Sequence, residues 1–162
     1  VLIVFGGLPG VGKTTVARLA CRALGAVYLR IDTIEQALRN EGANVWAEGY
    51  AVAYAVAADN LRVGRVVVAD CVNPLAVTRA AWADVAAAAR VRAVMFEFLC
   101  SDTAEHRRRV EARVADIAGH QVPSWDGVLA QDYAPWEAPR EVVETAGRAV
   151  EDILRDVLGR LR

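Results

Sequence analysis

Five short apolar runs punctuate this chain, and between them the apolar positions recur at helical spacing. "VLIVF" (1–5) is apolar throughout, the pattern of a strand buried on both faces. "KTTVARLACRAL" (13–24) places Val16, Leu19, Ala20 and Ala23 on one face of a helix. A second strand, "AVYLRI" (26–31), runs into "DTIEQALRN" (32–40), where Asp32 as N-cap and Glu35 three residues later form a capping-box arrangement. The pattern predicts a helix over 45–64 ending near Gly64, a strand over 65–70, and a helix over 74–90 with Pro74 in its first turn. A fourth strand (91–99) leads to a helix over 101–117 capped by Ser101 or Asp102. After a Gly/Pro break at 118–124, a fifth strand (141–146) and a last helix (148–161) complete the pattern. Strands alternating with helices predict an α/β protein, a parallel sheet with helices on both faces.

Composition narrows this picture. A chain of 162 residues is expected to form one domain with a real core. Apolar residues make up 55%, mostly through alanine, and the net charge of −1 gives no general attraction to nucleic acid. Cys21, Cys71 and Cys100 fit no zinc or thioredoxin spacing, so reduced thiols and a cytoplasmic protein are expected. No apolar run approaches the length of a membrane span, and "VLIVF" is too short for a signal peptide. Of the 19 basic residues, Lys13 alone is a lysine. A background of arginine accounts for the rest but not for this exception, which falls where a compact ammonium is wanted.

Lys13 closes Gly7-Leu8-Pro9-Gly10-Val11-Gly12-Lys13-Thr14, a match to G-x-x-x-x-G-K-[ST] set between a strand and a helix. Such a loop turns its backbone N–H groups around phosphate at a helix N-terminus. Lys13 is expected to reach the β- and γ-phosphates of ATP, Thr14 to ligate Mg²⁺, and Thr15 to complete the nucleotide contacts. The acceptor must then be found elsewhere. Asp32, at the carboxyl end of the second strand, is the candidate base, whether or not it also caps the next helix. Asp70, ending the third strand, serves either Mg²⁺ or the acceptor. Asn73 is either a substrate contact or a helix cap. Arg109 and Arg113, four apart on one predicted helical face, either stabilise the transferring phosphoryl group or form a solvated basic face. Trp46, Tyr50 and Tyr54 form an i, i+4, i+8 stripe, either core packing or an aromatic wall for the acceptor. His106 and His120 have no metal-site spacing.

These stretches resemble P-loop kinases of small molecules. "VVVADCVNPLAVTRAAW" resembles the third-strand region of polynucleotide kinase domains, and "FLCSDTAEHRRRVEARVADIAGH" the lid region of gluconate kinases. "LRIDTIEQAL" is similar to the strand-end Asp region of chloramphenicol phosphotransferase-like kinases, and the whole chain looks most like the kinase branch of the AAA-33 group. The resemblance implies a three-layer αβα fold with strand order 2-3-1-4-5, ATP and Mg²⁺ as cofactors, and a lid over about 114–136. It also implies Asp32 as catalytic base and Arg109 and Arg113 as lid arginines. Where polynucleotide kinases carry an Arg that reads the acceptor's phosphate, this chain has Glu35. The expectation is therefore an ATP-dependent kinase acting on a hydroxyl of a metabolite, nucleoside or antibiotic, as a monomer or homodimer, with no nucleic-acid or membrane partner. The alternatives are a 5′-hydroxyl polynucleotide kinase and a nucleotide-binding regulatory ATPase.

Overall fold

Apolar strands that must hide both faces find cover here in two helical layers. The computed structural model describes residues 1–162. Its strands are β1 (Leu2–Gly6), β2 (Val27–Arg30), β3 (Val67–Asp70), β4 (Ala93–Leu99) and β5 (Glu141–Glu144). All pair in parallel, in the order β2-β3-β1-β4-β5. The helices are α1 (Lys13–Leu24), α2 (Ile31–Asn40), α3 (Glu48–Arg62), α4 (Ala76–Ala88), α5 (Thr103–Glu111), α6 (Trp125–Leu129) and α7 (Val150–Arg160).

The two-residue period of a strand divides β1 between two cores. Ile3 and Phe5 pack with Val16, Ala17 and Ala20 of α1 and with Ile153 and Val157 of α7. Leu2 and Val4 face the opposite layer, Ala53, Ala57 and Leu61 of α3 with Trp82 and Ala86 of α4. The alanine richness has a use here, since Ala53 and Ala57 are wholly buried and bring α3 close to the sheet.

Several element boundaries differ from the sequence expectation. The helix expected over 45–64 starts at Glu48, because the Glu48 carboxylate turns back to accept the Trp46 N–H at 2.5 Å and leaves Trp46 outside the helix. α4 starts at Ala76 with Leu75 at its cap, so Pro74 precedes the helix. α5 ends at Glu111 instead of continuing to 117, and the short α6 had no sequence counterpart. Asp32 is not the cap of α2: Arg30 holds that position, no side chain caps the helix, and Glu35 pairs with Arg39 at 3.0 Å instead of closing a capping box.

Register gathers the chemistry at one edge. Phe5 of β1 lies beside Asp70 of β3, and Arg30 of β2 lies on Asp70's other side. The loops leaving the carboxyl ends of these strands carry the candidate residues, as open parallel sheets require.

Candidate active site

The loop between β1 and α1 is shaped for an anion. Gly7, Gly10 and Gly12 all have positive φ (142°, 86° and 91°). A Cβ at Gly7 would stand 2.5 Å from the Phe98 carbonyl oxygen, and one at Gly10 would strike Val110 of α5. The Gly7 N–H donates to the Val72 carbonyl at 3.0 Å, tying the loop to the end of β3. His106 of α5 pins its other side. His106 Nε2 lies 2.8 Å from the Pro9 carbonyl; since a carbonyl only accepts, that nitrogen carries the proton. Trp125 of α6 packs edge-on against the same ring, centroids 5.2 Å apart. The sequence offered no role for His106, because its partner lies 97 residues away.

Lys13 is only 8% exposed, and its ammonium donates to the Leu8 carbonyl at 3.5 Å. Burial lowers its pKa, against the attraction of the nearby Asp70 and Asp32 carboxylates. Lys13 and Arg113 stand in a wall shared by two clefts.

The first cleft, about 470 Å³, is bounded by the N-terminal turn of α1, by α5 and by the residues before α7. It is lined by Gly10, Gly12, Thr14 and Thr15 and by six cationic side chains: Lys13, Arg18, Arg30, Arg109, Arg113 and Arg148. Asp116 is the one acid in this lining. Arg109 is held open to the cleft by Thr145, whose Oγ1 and carbonyl each accept from its guanidinium at 3.0 Å, while Glu105 pairs with the same group. The buried Arg30 donates to both oxygens of Asp116 at 3.0 and 2.9 Å, and Arg18 pairs with Asp116 as well. Hydrogen bonding to Arg30 holds the Asp116 carboxyl well below the usual carboxylate range. This cationic surround and the positive-φ glycines fit a triphosphate. Arg18, Arg30 and Arg148 went unnoticed in the sequence, where nothing distinguishes them from other arginines.

The second cleft, about 360 Å³, lies on the other side of Lys13 and Arg113. Asp32, Glu35, Tyr50 and His120 line it, with Val72 and Pro74 from the loop after β3. Asp32 is 3.4 Å from Arg30 and 3.9 Å from Arg113. Arg113 lies past the end of α5, so the expected shared helical face with Arg109 does not form; the two arginines reach the site from different backbone segments.

Asp70 is 2% exposed, accepts from the Tyr28 hydroxyl at 2.7 Å, and lines neither cleft. No three acidic, His or Cys side chains form a metal cage. The Thr14 hydroxyl lines the first cleft and fits Mg²⁺, which is commonly held by few protein oxygens together with substrate phosphates; the buried Asp70, already accepting from Tyr28, would reach such an ion only through water.

The three-residue aromatic stripe does not form, although Tyr50 and Tyr54 lie side by side with ring centroids 5.9 Å apart. Trp46 is 80% exposed ahead of α3. Tyr54 turns into the core, donating to the Thr78 carbonyl at 3.1 Å with its ring 4.6 Å from Trp82. Tyr50 alone reaches the second cleft, and its hydroxyl accepts the Asn73 N–H at 2.9 Å. Asn73 caps no helix and reaches neither cleft. It is wholly buried at φ 53°, its side-chain amide lacks any partner, and Leu75 holds the cap of α4.

The parallel 2-3-1-4-5 sheet, the glycine cradle and the lysine at the head of α1 together define the P-loop kinase fold. More narrowly, the model of the AAA_33 family, an AAA domain, matches residues 2–127, and the chain belongs to that family. No curated protein matches it. Among solved structures it is similar to a gluconokinase from Sinorhizobium meliloti 1021, with 20% identity, TM-score 0.67, and coverage of 98% of this chain and 91% of that one. It is also similar to the Mycobacterium tuberculosis APS kinase CysC in complex with AMPPNP and APS, with 22% identity, TM-score 0.65, and coverage of 99% and 96%. Chaetomium thermophilum Kti12 in complex with ADP-AlF3 aligns with 21% identity and TM-score 0.66, over 99% of this chain and 97% of that one. At such identities the likeness is one of fold. No helix is long and apolar enough to cross a membrane.

Proposed function

We propose that the protein is an ATP-dependent kinase that phosphorylates a hydroxyl group of a small molecule. The observation that carries this reading is the wall shared by the two clefts: a cationic cleft beside the glycine cradle and an acceptor-sized cleft holding Asp32 meet at Lys13 and Arg113. ATP would lie in the first, its phosphates against the loop N–H groups. The Thr14 hydroxyl would hold Mg²⁺ with the phosphate oxygens, the buried Asp70 acting on it through water, and the ion would neutralise phosphate charge. The acceptor would lie in the second cleft, where Asp32 orients its hydroxyl and takes its proton. The bond from the γ-phosphorus to the ADP oxygen breaks as a new P–O bond to the acceptor forms. Lys13, Arg109 and Arg113 balance the charge that develops. Segment 114–136, which carries Asp116 into the first cleft and His120 into the second, would act as the lid over both.

The test is ADP release from ATP–Mg²⁺ with and without a panel of small hydroxyl compounds. An acceptor-stimulated rate is expected, falling at least about 10²-fold in Lys13→Ala, a typical loss for removing one group that stabilises transition-state charge. Hydrolysis indifferent to every small acceptor would identify a regulatory ATPase instead.

A further inference from the structure

The lining of the second cleft sorts by charge in a way that bears on the acceptor itself. Its two basic side chains, Lys13 and Arg113, both stand in the wall shared with the nucleotide cleft. Facing phosphate, they are already committed, and Arg113 also lies 3.9 Å from Asp32. What remains toward the acceptor is two carboxylates, Asp32 and Glu35, with the Tyr50 hydroxyl, the His120 imidazole and the Gln131 amide; Asp32 also has Arg30 at 3.4 Å from outside this lining. Glu35 is built into this wall. Its side chain lies against the backbone of buried Gly49, where any Cβ would collide with Glu35 Cγ. Arg39 reaches Oε2 at 3.0 Å from outside the cleft lining, and no hydrogen bond engages Oε1. Burial pushes the Glu35 carboxyl up, against the opposing pull of Arg39. With Lys13 and Arg113 turned to phosphate, an anionic acceptor would meet two like charges, whereas an ammonium would find in Glu35 Oε1 an acceptor with no other hydrogen bond.

We infer that the acceptor is a small hydroxylated amine, protonated at neutral pH, such as an amino alcohol or amino sugar. Asp32 engages its reacting hydroxyl and Glu35 its ammonium group. The cleft of about 360 Å³ is near the small end of ligand pockets, which suits an occupant of this size. Such an acceptor would differ in charge from the acids for which gluconokinase and APS kinase are named. The inference rests on the kinase reading above and narrows it to one chemical class.

The experiment measures ADP release from ATP–Mg²⁺ with three classes of size-matched compounds. These are amino sugars and amino alcohols, neutral sugars and polyols, and sugar acids. Each amine is paired with its N-acetyl derivative, which keeps the hydroxyls and loses the charge. The amines are expected to give the highest kcat/KM. Glu35→Gln should lower that value at least about tenfold for the best amine and several-fold less for its N-acetyl partner, with ATP affinity retained as the check on folding. A neutral or anionic compound as best acceptor would overturn the inference while leaving the kinase reading standing. So would an equal loss for the amine and its N-acetyl partner in Glu35→Gln. Should none of the three classes stimulate ADP release, the inference fails, and the kinase reading stands or falls on the wider panel of small hydroxyl compounds.

Discussion

Asp32 sits where the two clefts exchange charge, between Arg30 of the strand edge and Arg113 of the shared wall. Because Arg30 and not Asp32 occupies the cap position of α2, exchanging the carboxylate for an amide removes no helix cap. Arg30 also keeps its pairing with Asp116. Asp32→Asn should therefore preserve fold and ATP affinity while lowering turnover on the true acceptor by about 10²–10⁴-fold, the usual contribution of a general base. Parallel measurement of kcat and of nucleotide binding checks this, and undiminished turnover would leave Asp32 only the role of aligning Arg30 and Arg113. Asp32 was legible in the sequence because it directly follows an apolar run, as Lys13 and Thr14 were legible because their spacing is local. Asn73 was not legible: its position directly before a predicted helix suggested a cap, and only the folded chain shows it wholly buried.

Among the elements, α5 is the one that fits the cradle to the rest of the protein. Asp102 caps it by accepting the Glu105 N–H at 2.9 Å, His106 and Val110 press on the glycine loop, and Arg109 reaches Thr145. The start of α5 was legible in the sequence but its end was not. Beyond Glu111, Arg113 turns to Asp32, and Asp116 to Arg18 and Arg30, 86 residues distant in the last case. Such tertiary pairings prevail over helix propensities of a few tenths of a kcal/mol per residue. On the opposite layer, α4 provides a clasp. Arg79, 4% exposed, donates to the carbonyls of Asn73, Pro74, Ala134 and Pro135 at 2.7–3.0 Å, and its guanidinium lies 4.3 Å from the centroid of the Trp136 ring. Arg79→Ala would leave four carbonyls without this donor and undock residues 134–136. A loss of about 3 kcal/mol or more is expected in urea unfolding. Arg79→Lys should recover little of it, since an ammonium cannot reproduce the planar fork.

For the molecule as a whole, the clasp and the Asp116 pairings hold segment 114–136 at its two ends by different means. The Arg79 end is buried and made of several charge-assisted bonds, whereas Asp116 is 38% exposed and reaches Arg18 and Arg30 across the phosphate side of the site. The weaker end should yield first. Asp116→Asn should make residues 114–124 several-fold more sensitive to limited proteolysis without nucleotide, with ATP–Mg²⁺ restoring protection; cleavage of this kind follows the population of the open form. Fragment mapping by mass spectrometry reads the result, and an unchanged cleavage pattern would mean that Asp116 does not hold the segment. The sheet order that makes this arrangement possible was legible from alternation of elements and from family resemblance, but the two-cleft geometry depends on contacts that no local pattern encodes. One consequence belongs to the lysine alone. Because the 162 residues contain a single ε-amine, and burial lowers its pKa in a wall open to both clefts, a reagent selective for amines has one side-chain target, and that target is the phosphate site. The chain thus carries its own covalent handle, placed where protection from labelling would report directly on nucleotide occupancy.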